Sequence, residues 1–177
     1  MAFGGWLLRF GWGSCARLRR VLLPRCKSAT TSRNFLLKCS VCARPFLKAA
    51  ASGEIEQLRV PIEMNEIQPV FAKDPIPDPI AYLKSVSADG NGRETLAILY
   101  TLLTTGYAIE NAGTKDEMIV WPYHAAIPLR GLTPGQEVEI YRFLSPARLK
   151  EMIAEGKYRY YRAGIGRDGV WHYFVSE

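Results

Sequence analysis

The chain has 177 residues, a mass of 19.9 kDa and a formal net charge of +6 at pH 7. Hydrophobic residues make up 48% of it and charged residues 23%, which are ordinary fractions for a globular protein and exclude a wholly disordered chain. No stretch approaches the roughly 18 consecutive apolar residues that a membrane-spanning helix needs. The length suits one domain, or one domain with an extension.

The charge is distributed unevenly along the chain, with a boundary near residue 53. Residues 1–53 contain ten of the 23 Lys and Arg residues and none of the 17 acidic residues, so this part carries +10 and residues 54–177 carry −4. The composition predicts a basic leader or disordered extension over 1–53 and a globular domain over 54–177. Because the high isoelectric point belongs to the leader, it does not indicate a nucleic-acid-binding domain.

The leader has three interpretations. Its arginines, its lack of acidic residues and the Ser/Thr cluster at 28–32 are typical of an organellar transit peptide. The small residues at 49–53 resemble the end of a processed export signal, although the apolar stretches at 21–23 and 35–37 are short for such a signal. A retained basic arm is the third interpretation.

All four cysteines lie in this leader. Cys39 and Cys42 have the C-x-x-C spacing of a redox pair or of half a zinc site. Cys15 and Cys26 lack the paired spacing that would complete a zinc site. The sequence therefore predicts no metal ion, no cofactor and no disulfide framework in the globular domain.

The first part of the predicted domain combines extended chain with two helices. Alternating apolar residues over 58–64 predict a short edge strand, and the prolines over 69–79 predict an extended wrapping segment. Asp78-Pro79 is a typical helix start, and the segment 89–92 ends that helix. A second helix is predicted over 94–108, with a face of apolar and aromatic residues at helical spacing. These residues are Leu96, Leu99, Tyr100, Leu103 and Tyr107.

The next part predicts a strand and two more helices. The strand covers 118–121 and stops at a proline. Thr133 and Gln136 match a capping box at the start of the third helix. Ser145-Pro146 starts a fourth helix, and Gly156 ends it. The inward residues are predicted to be Val138, Tyr141 and Leu144 in the third helix, and Leu149, Met152 and Ile153 in the fourth.

The last twenty residues carry the strongest structural signal. Two aromatic-rich runs, 157–165 and 170–175, flank Asp168-Gly169, and Asp-Gly between such runs predicts a β-hairpin because its preferred turn needs positive φ. A lone hairpin is marginal in water, so it must pair with further strands or pack on helices. The sequence therefore predicts a small single α+β domain with about four helices and a C-terminal antiparallel hairpin that pairs with one or two further strands.

Three patterns are candidates for chemistry, and each also has a structural explanation. His124 and His172 alone have an ordinary pKa that suits proton transfer near neutral pH, but no metal-ligand spacing or hydrolase serine motif accompanies them. Residues 164–169 match G-x-G-x-x-G, yet a strand rather than a helix follows, so the glycines are assigned to the turn. Tyr and Arg are interleaved over 158–162, as in nucleic-acid-binding proteins, but the −4 charge of this part favours an ordinary hairpin strand.

A fourth candidate is the concentration of aromatic residues in the last third of the chain. One small core rarely needs so many amphipathic rings, so some of them are predicted to line a pocket or a protein-binding patch. The alternative is a Tyr- and Trp-rich core that fills a short sheet. The predicted ligand- or partner-binding residues are Trp121, Tyr123, His124, Tyr160, Arg162, Trp171 and His172. No catalytic residue is predicted.

Two parts of the chain also show a resemblance to known proteins. The first contains MIVWPY at 118–123, PL at 128–129 and LTP at 132–134, and the second contains YYRAGIG at 160–166 and DGVW at 168–171. Together they are similar to a group of small uncharacterised proteins of alphaproteobacteria that are made with an export signal. The resemblance covers about residues 115–175 and none of the leader. It implies a periplasmic location and brings no activity and no catalytic residue.

The sequence favours a non-enzymatic, exported protein that binds a protein or a small ligand through its aromatic C-terminal third. Two alternatives stay open. One is an enzyme or metal-dependent protein that uses His124 and His172, and the other is a nucleic-acid-binding protein that uses the basic leader with Tyr158–Arg162. The expected location is the periplasm, with an organelle or the cytoplasm as alternatives. Nucleic acid is not the favoured partner.

Overall fold

The computed structural model describes the backbone of residues 33–177 and the side chains of residues 43–177. The leader features at 15, 21–23 and 26–32 lie outside the described residues, as do the side chains of Cys39 and Cys42. The described chain forms six α-helices, two short 3-10 helices and a four-stranded antiparallel sheet, so the predicted α+β class is confirmed. None of the described helices has the length and apolarity to cross a bilayer.

The elements follow one another with the strands toward the C-terminal end. The helices are α1 (Arg33–Ser52), α2 (Arg59–Glu63), α3 (Pro79–Ser85), α4 (Arg93–Leu103), α5 (Pro134–Ile140) and α6 (Pro146–Glu155). The strands are β1 (Ala108–Glu110), β2 (Met118–Trp121), β3 (Arg162–Gly166) and β4 (Trp171–Val175). The 3-10 helices cover Ile55–Leu58 and Tyr123–Ala126.

The hairpin lies at one edge of the sheet, whose strand order is β1-β2-β3-β4. β3 and β4 pair in antiparallel fashion, and Gly169 in the turn between them has a φ of 92°. β3 pairs with β2 through Ile165 opposite Ile119, and β2 pairs in turn with β1. The predicted hairpin and its pairing with two further strands are therefore confirmed.

One face of the sheet carries the main hydrophobic core. Successive strand residues point to opposite faces, and the register places Ile119 and Trp121 of β2 beside Ile165 and Ala163 of β3. Helices α1 and α4 contact each other and both contact β3 on this side. The resulting core includes buried residues from α1, α3, α4 and three strands.

Helix α1 lies entirely before the compositional boundary at residue 53, yet it contributes to this core. Its buried residues are Ala43, Phe46, Ala49 and Ala50. The Phe46 ring packs on Trp171 of β4, with ring centroids 4.2 Å apart. The exposed side of the same helix carries Arg44 and Lys48. The packed part of the chain therefore does not begin at residue 54, where the charge changes, but inside α1.

The predicted edge strand at 58–64 is wrong, because this segment continues a 3-10 helix into α2. The buried residues are Leu58 and Ile62, and the exposed residues are Val60 and Met64. Both pairs are four residues apart, so the apolar pattern fits a helical turn as well as a strand. The helical turn places Leu58 and Ile62 together in the main core.

Helix α4 is shorter than predicted and has a different inner face. It ends at Leu103, before the predicted end at 108. Leu96 and Leu99 are buried as predicted. Tyr100, which was also predicted to face inward, is 43% exposed, and Leu102 is buried instead. The chain turns after α4 so that β1 can pair with β2, which removes the residues beyond 103 from the helix.

Helix α5 also has a different inner face from the one predicted. Val138 and Tyr141 are exposed, whereas Ile140 and Leu144 are buried. These two buried residues belong to a second hydrophobic cluster, formed around α5 and α6. Its members are Leu129, Ile140, Leu144, Leu149, Met152 and Tyr158. Phe143 packs against both clusters and connects them.

Four predicted helix ends are confirmed. The side chains of Asp78 and Ser145 accept hydrogen bonds from N–H groups in the first turns of α3 and α6. Thr133 and Gln136 form both bonds of the capping box at the start of α5. Gly156 ends α6 in the left-handed conformation, with a φ of 70°.

Two glycines of β3 make room for side chains of β4 on the face of the sheet away from the main core. A Cβ atom at Gly164 would overlap the ring of Tyr173 and would lie 2.8 Å from Met118 Sδ. A Cβ atom at Gly166 would lie 2.5 Å from His172 Nε2. In the G-x-G-x-x-G pattern, therefore, only the last glycine serves the turn through its φ, and the first two serve side-chain packing.

The outer edge of β4 is covered by the segment that follows α2. Asn65 Nδ2 donates a hydrogen bond of 2.8 Å to the Trp171 carbonyl, and its Oδ1 accepts one of 2.9 Å from the Trp171 N–H. The Val70 N–H donates to the His172 carbonyl, and the Val70 carbonyl accepts from the Phe174 N–H. The Asn65 side chain and the β-bridge at Val70 thus form hydrogen bonds with backbone groups of β4 that would otherwise be unpaired at the edge of the sheet.

Candidate functional site

Five side chains form an unbroken series of ring contacts, which we call the aromatic strip: Tyr123, His124, Phe143, Tyr160 and Tyr161. The successive ring centroids lie 4.0, 6.1, 5.9 and 5.4 Å apart. Four of these rings are half-buried and His124 is fully buried beneath them. At the inner end, Tyr161 stacks on the core residue Phe174 at 5.1 Å. The strip therefore reaches from the main core to the surface.

Helix α5 fixes one end of the strip through two hydrogen bonds. The Tyr123 hydroxyl donates to Glu139 Oε2 at 2.7 Å. His124 Nε2 lies 3.0 Å from the Gln136 carbonyl oxygen. A carbonyl oxygen can only accept, so Nε2 carries the proton and Nδ1 does not. These bonds hold both rings in the short 3-10 helix that follows β2.

His124 Nδ1 is a buried nitrogen with no hydrogen-bond partner among the described residues. Burial lowers the pKa of His124, because the charged imidazolium would lose its hydration there; the Gln136 carbonyl and the Glu139 carboxylate oppose this effect to a smaller degree. His124 is therefore neutral at pH 7, and its Nδ1 lone pair faces the protein interior.

Acid is expected to destabilise the fold through His124. The folded-state pKa lies below the value of about 6.5 that an exposed histidine has in the unfolded chain, so the unfolded chain binds the proton more readily. Above the unfolded-state pKa of about 6.5, the histidine costs the fold no stability. The free energy of unfolding then decreases as the pH falls toward and through the lower folded-state pKa. We expect the midpoint of urea unfolding to fall between about pH 7 and pH 5 in the wild type, and to fall less in His124→Phe.

The matched control is His172→Gln, which removes the other histidine. His172 is half-buried on the hairpin, and its Nε2 lies 3.9 Å from Asp168 Oδ1. This variant should keep the wild-type fall in the urea midpoint. Equal pH dependence in His124→Phe and in the wild type would show that His124 does not cause the effect.

The hydroxyl groups along the strip are neutral hydrogen-bonding groups. Burial raises the pKa of Tyr123, and its hydrogen bond to Glu139 raises it further. Burial also raises the pKa of Tyr160 and of Tyr161. All three phenols therefore remain protonated near neutral pH and can donate or accept a hydrogen bond.

The two tryptophans predicted to bind a ligand lie in the core instead. Trp121 is 5% exposed, and Trp171 is 1% exposed between Phe46 and Phe71. Trp171 Nε1 donates to the Tyr173 carbonyl at 2.8 Å, so its polar atom is satisfied internally. Both side chains point to the sheet face that α1 and α4 cover, and this leaves no ring surface for a ligand.

Arg162 and His172, which were also predicted to bind, are not part of the aromatic strip. Arg162 Nη2 donates to Glu177 Oε1 at 2.8 Å, and its guanidinium carbon lies 5.9 Å from the centre of the Tyr173 ring. His172 has Asp168 as its charged neighbour, whereas His124 has Glu139. Among the described residues, no group of three His, Cys, Asp or Glu side chains is placed to hold a metal ion.

The interleaved Tyr and Arg residues of 158–162 are engaged within the protein. The Tyr158 hydroxyl donates to the Tyr161 carbonyl, and its ring is buried in the second cluster. Arg159 pairs with Glu155 at 3.1 Å, and Arg162 pairs with the C-terminal residue. These pairings do not favour phosphate binding by the two guanidinium groups.

Sequence reasoning missed Phe143, Gln136 and Glu139 as parts of the site. Phe143 follows the buried Ile140 by three residues, a spacing that would have placed it on the inner side of the chain. Gln136 was identified only as a helix cap, and its carbonyl bond to His124 depends on how α5 lies against the 3-10 helix that contains His124. Glu139 carries no local signal for its role.

No protein-family model, curated protein or solved structure matches this chain.

Proposed function

We propose that this protein is a non-enzymatic binding protein that uses the aromatic strip to hold a partner segment or a small ligand. The observation that supports this most directly is the unbroken ring contact from the surface residue Tyr123 to the core residue Phe174. Rings locked by such contacts lose little side-chain freedom on binding, so contact with them is favourable at low entropic cost.

The chemistry of the strip defines the groups that suit it. Phe143 and Tyr160 stack with an angle of 19° between their planes, which presents ring surface for apolar contact. The neutral hydroxyls of Tyr123, Tyr160 and Tyr161 add hydrogen-bonding groups along the ring edges. A flat apolar group with polar atoms at its margin fits this combination, whether it belongs to a protein side chain or to a small molecule.

Site-specific photocrosslinking tests the proposal in cells that make the protein. A photoreactive benzoyl-phenylalanine at position 160 is expected to form a discrete adduct, seen as a gel shift for a protein partner or as a mass increment for a small ligand. The control places the same probe at position 107, where Tyr107 is 37% exposed and packs on Trp121 outside the strip. The proposal is wrong if position 160 gives no adduct, or if position 107 gives the same adducts.

We further propose that the protein acts outside the cytoplasm, in the periplasm or, as an alternative, in an organelle. The acid-free basic leader and the resemblance over 115–175 support this location. N-terminal sequencing of the natural protein tests it. A mature chain that begins before Ala43 is compatible with the packing of α1, whereas cleavage at 49–53 would remove Phe46 from the core.

A further inference from the structure

Two apolar surfaces of opposite charge lie on this chain, and both are outside the aromatic strip. The first, which we call the acidic ridge, consists of Val60, Met64 and Ile67 with Glu63 and Glu66. Its three apolar side chains are 60%, 81% and 49% exposed. Both carboxylates are exposed, and neither forms a salt bridge with another described residue.

The second surface is a groove between α1 and α4, which we call the basic groove. It has two adjoining parts of about 430 and 650 Å³, which share Ala51 and Tyr100. Pro45 and Leu47 add to its apolar floor. Its rim carries Arg44, Lys48 and Arg93, all of them exposed.

The basic residues of the groove's rim, like the acidic residues of the ridge, have no salt-bridge partner among the described residues. Arg44, Lys48 and Arg93 form no salt bridge with another described residue. Large exposed apolar side chains that are flanked by charges of one sign are typical of binding surfaces. The two surfaces are complementary in charge: exposed apolar side chains with acidic neighbours form one, and an open apolar groove with a basic rim forms the other.

We propose that two copies of this chain associate by placing the acidic ridge of one copy in the basic groove of the other. A two-fold pair seats each ridge in the partner's groove and repeats the contact twice. The chain that precedes the groove is a poorer occupant, because residues 1–42 contain no acidic side chain to pair with the rim. An anionic lipid would match the rim of the groove but would leave the ridge of Val60, Met64 and Ile67 uncovered.

Sedimentation velocity of the full chain, from about 5 to 200 µM at low salt, measures this association. We expect a monomer–dimer equilibrium that weakens as salt is added, because the rim and ridge charges are solvent-screened. Reversing one charge on either surface, as in Lys48→Glu or Glu63→Lys, is expected to raise the dissociation constant at least about tenfold. All of these residues are exposed, so folding is checked by circular dichroism and should be unchanged.

Mixing the two variants provides the decisive arm of the experiment. The reversed ridge of Glu63→Lys matches the reversed rim of Lys48→Glu, so an equal mixture should form a heterodimer although neither variant dimerises well alone. The controls are Lys150→Glu on α6 and Asp116→Lys before β2, which make the same charge changes at exposed positions elsewhere. Both controls should dimerise like the wild type.

Three results would overturn the proposal. The full chain could remain monomeric at the highest concentration, the charge reversals could act no more strongly than the controls, or the mixture could fail to associate. A parallel experiment compares binding of the chain to two kinds of vesicle, one of neutral lipid and one that contains anionic phosphatidylglycerol. If the chain stays monomeric and Lys48→Glu alone loses vesicle binding, the groove takes an anionic lipid and not a second copy.

Discussion

Replacing Phe46 with alanine is expected to lower the free energy of unfolding by about 3–5 kcal/mol, the range for removing a large aromatic side chain from a core. Phe46 is 5% exposed and packs on Trp171, which Phe71 contacts at 5.4 Å from the other side. The cavity left by the substitution would lie between α1 and β4. Chemical unfolding followed by tryptophan fluorescence measures the loss.

The control for this prediction is Lys48→Ala, two residues further along α1. Lys48 is exposed and has no salt bridge within the described part of the chain, so its truncation should change stability by less than about 0.5 kcal/mol. A comparably small effect of Phe46→Ala would mean that α1 does not pack on the sheet in solution. It would also restore residue 53 as the boundary of the folded domain.

Gly164→Ala is expected to destabilise the protein by about 1–3 kcal/mol, although alanine normally favours a strand more than glycine does. The new methyl group would overlap the Tyr173 ring and press against Met118 Sδ. Gly164 cannot shift away from them, because β3 is hydrogen-bonded to β2 on one side and to β4 on the other.

Two variants test the cause of this loss. Gly135→Ala, in the first turn of α5, adds the same methyl group where no atom lies within 4 Å, and it should be neutral or slightly stabilising. In Tyr173→Ala the overlapping ring is gone, so adding Gly164→Ala to that variant should cost much less than adding it to the wild type. Additive effects of the two substitutions would contradict the packing explanation.

The elements that were predicted correctly have local signals. Asp168-Gly169 determines the hairpin through its own backbone preference, and Thr133 with Gln136 determines the start of α5 through two hydrogen bonds. Both depend on residues within a few positions of one another. Such signals can be read from a single sequence without knowledge of the tertiary structure.

The errors arose where tertiary contact chooses between local possibilities. The pairs Leu58/Ile62 and Val60/Met64 fit both a strand and a helical turn, and only the burial of Leu58 and Ile62 in the main core distinguishes them. Helix α1 was missed because the basic, acid-free composition of residues 1–53 assigned the whole segment to a leader, although buried residues recur at helical spacing within it.

The candidate site was predictable in composition but not in arrangement. The sequence indicated that aromatic rings near the C-terminus matter, and Tyr123 and Tyr160 do lie in one strip. It could not indicate that Trp121 and Trp171 point to the helix-covered face, because the assignment of strand faces depends on which side α1 and α4 pack. The connecting ring, Phe143, comes from the segment between two helices and has meaning only once both clusters are assembled.

Covering β4 with Asn65 and Val70 also limits how the sheet can be extended. An incoming peptide that adds as an extra strand needs a row of free backbone N–H and C=O groups. On β4, Asn65 and Val70 already form hydrogen bonds with backbone groups of residues 171, 172 and 174. The opposite edge strand, β1, is only three residues long. Partners of this protein should therefore recognise its side chains, and intermolecular sheet growth of the amyloid type should require Asn65 to be displaced first.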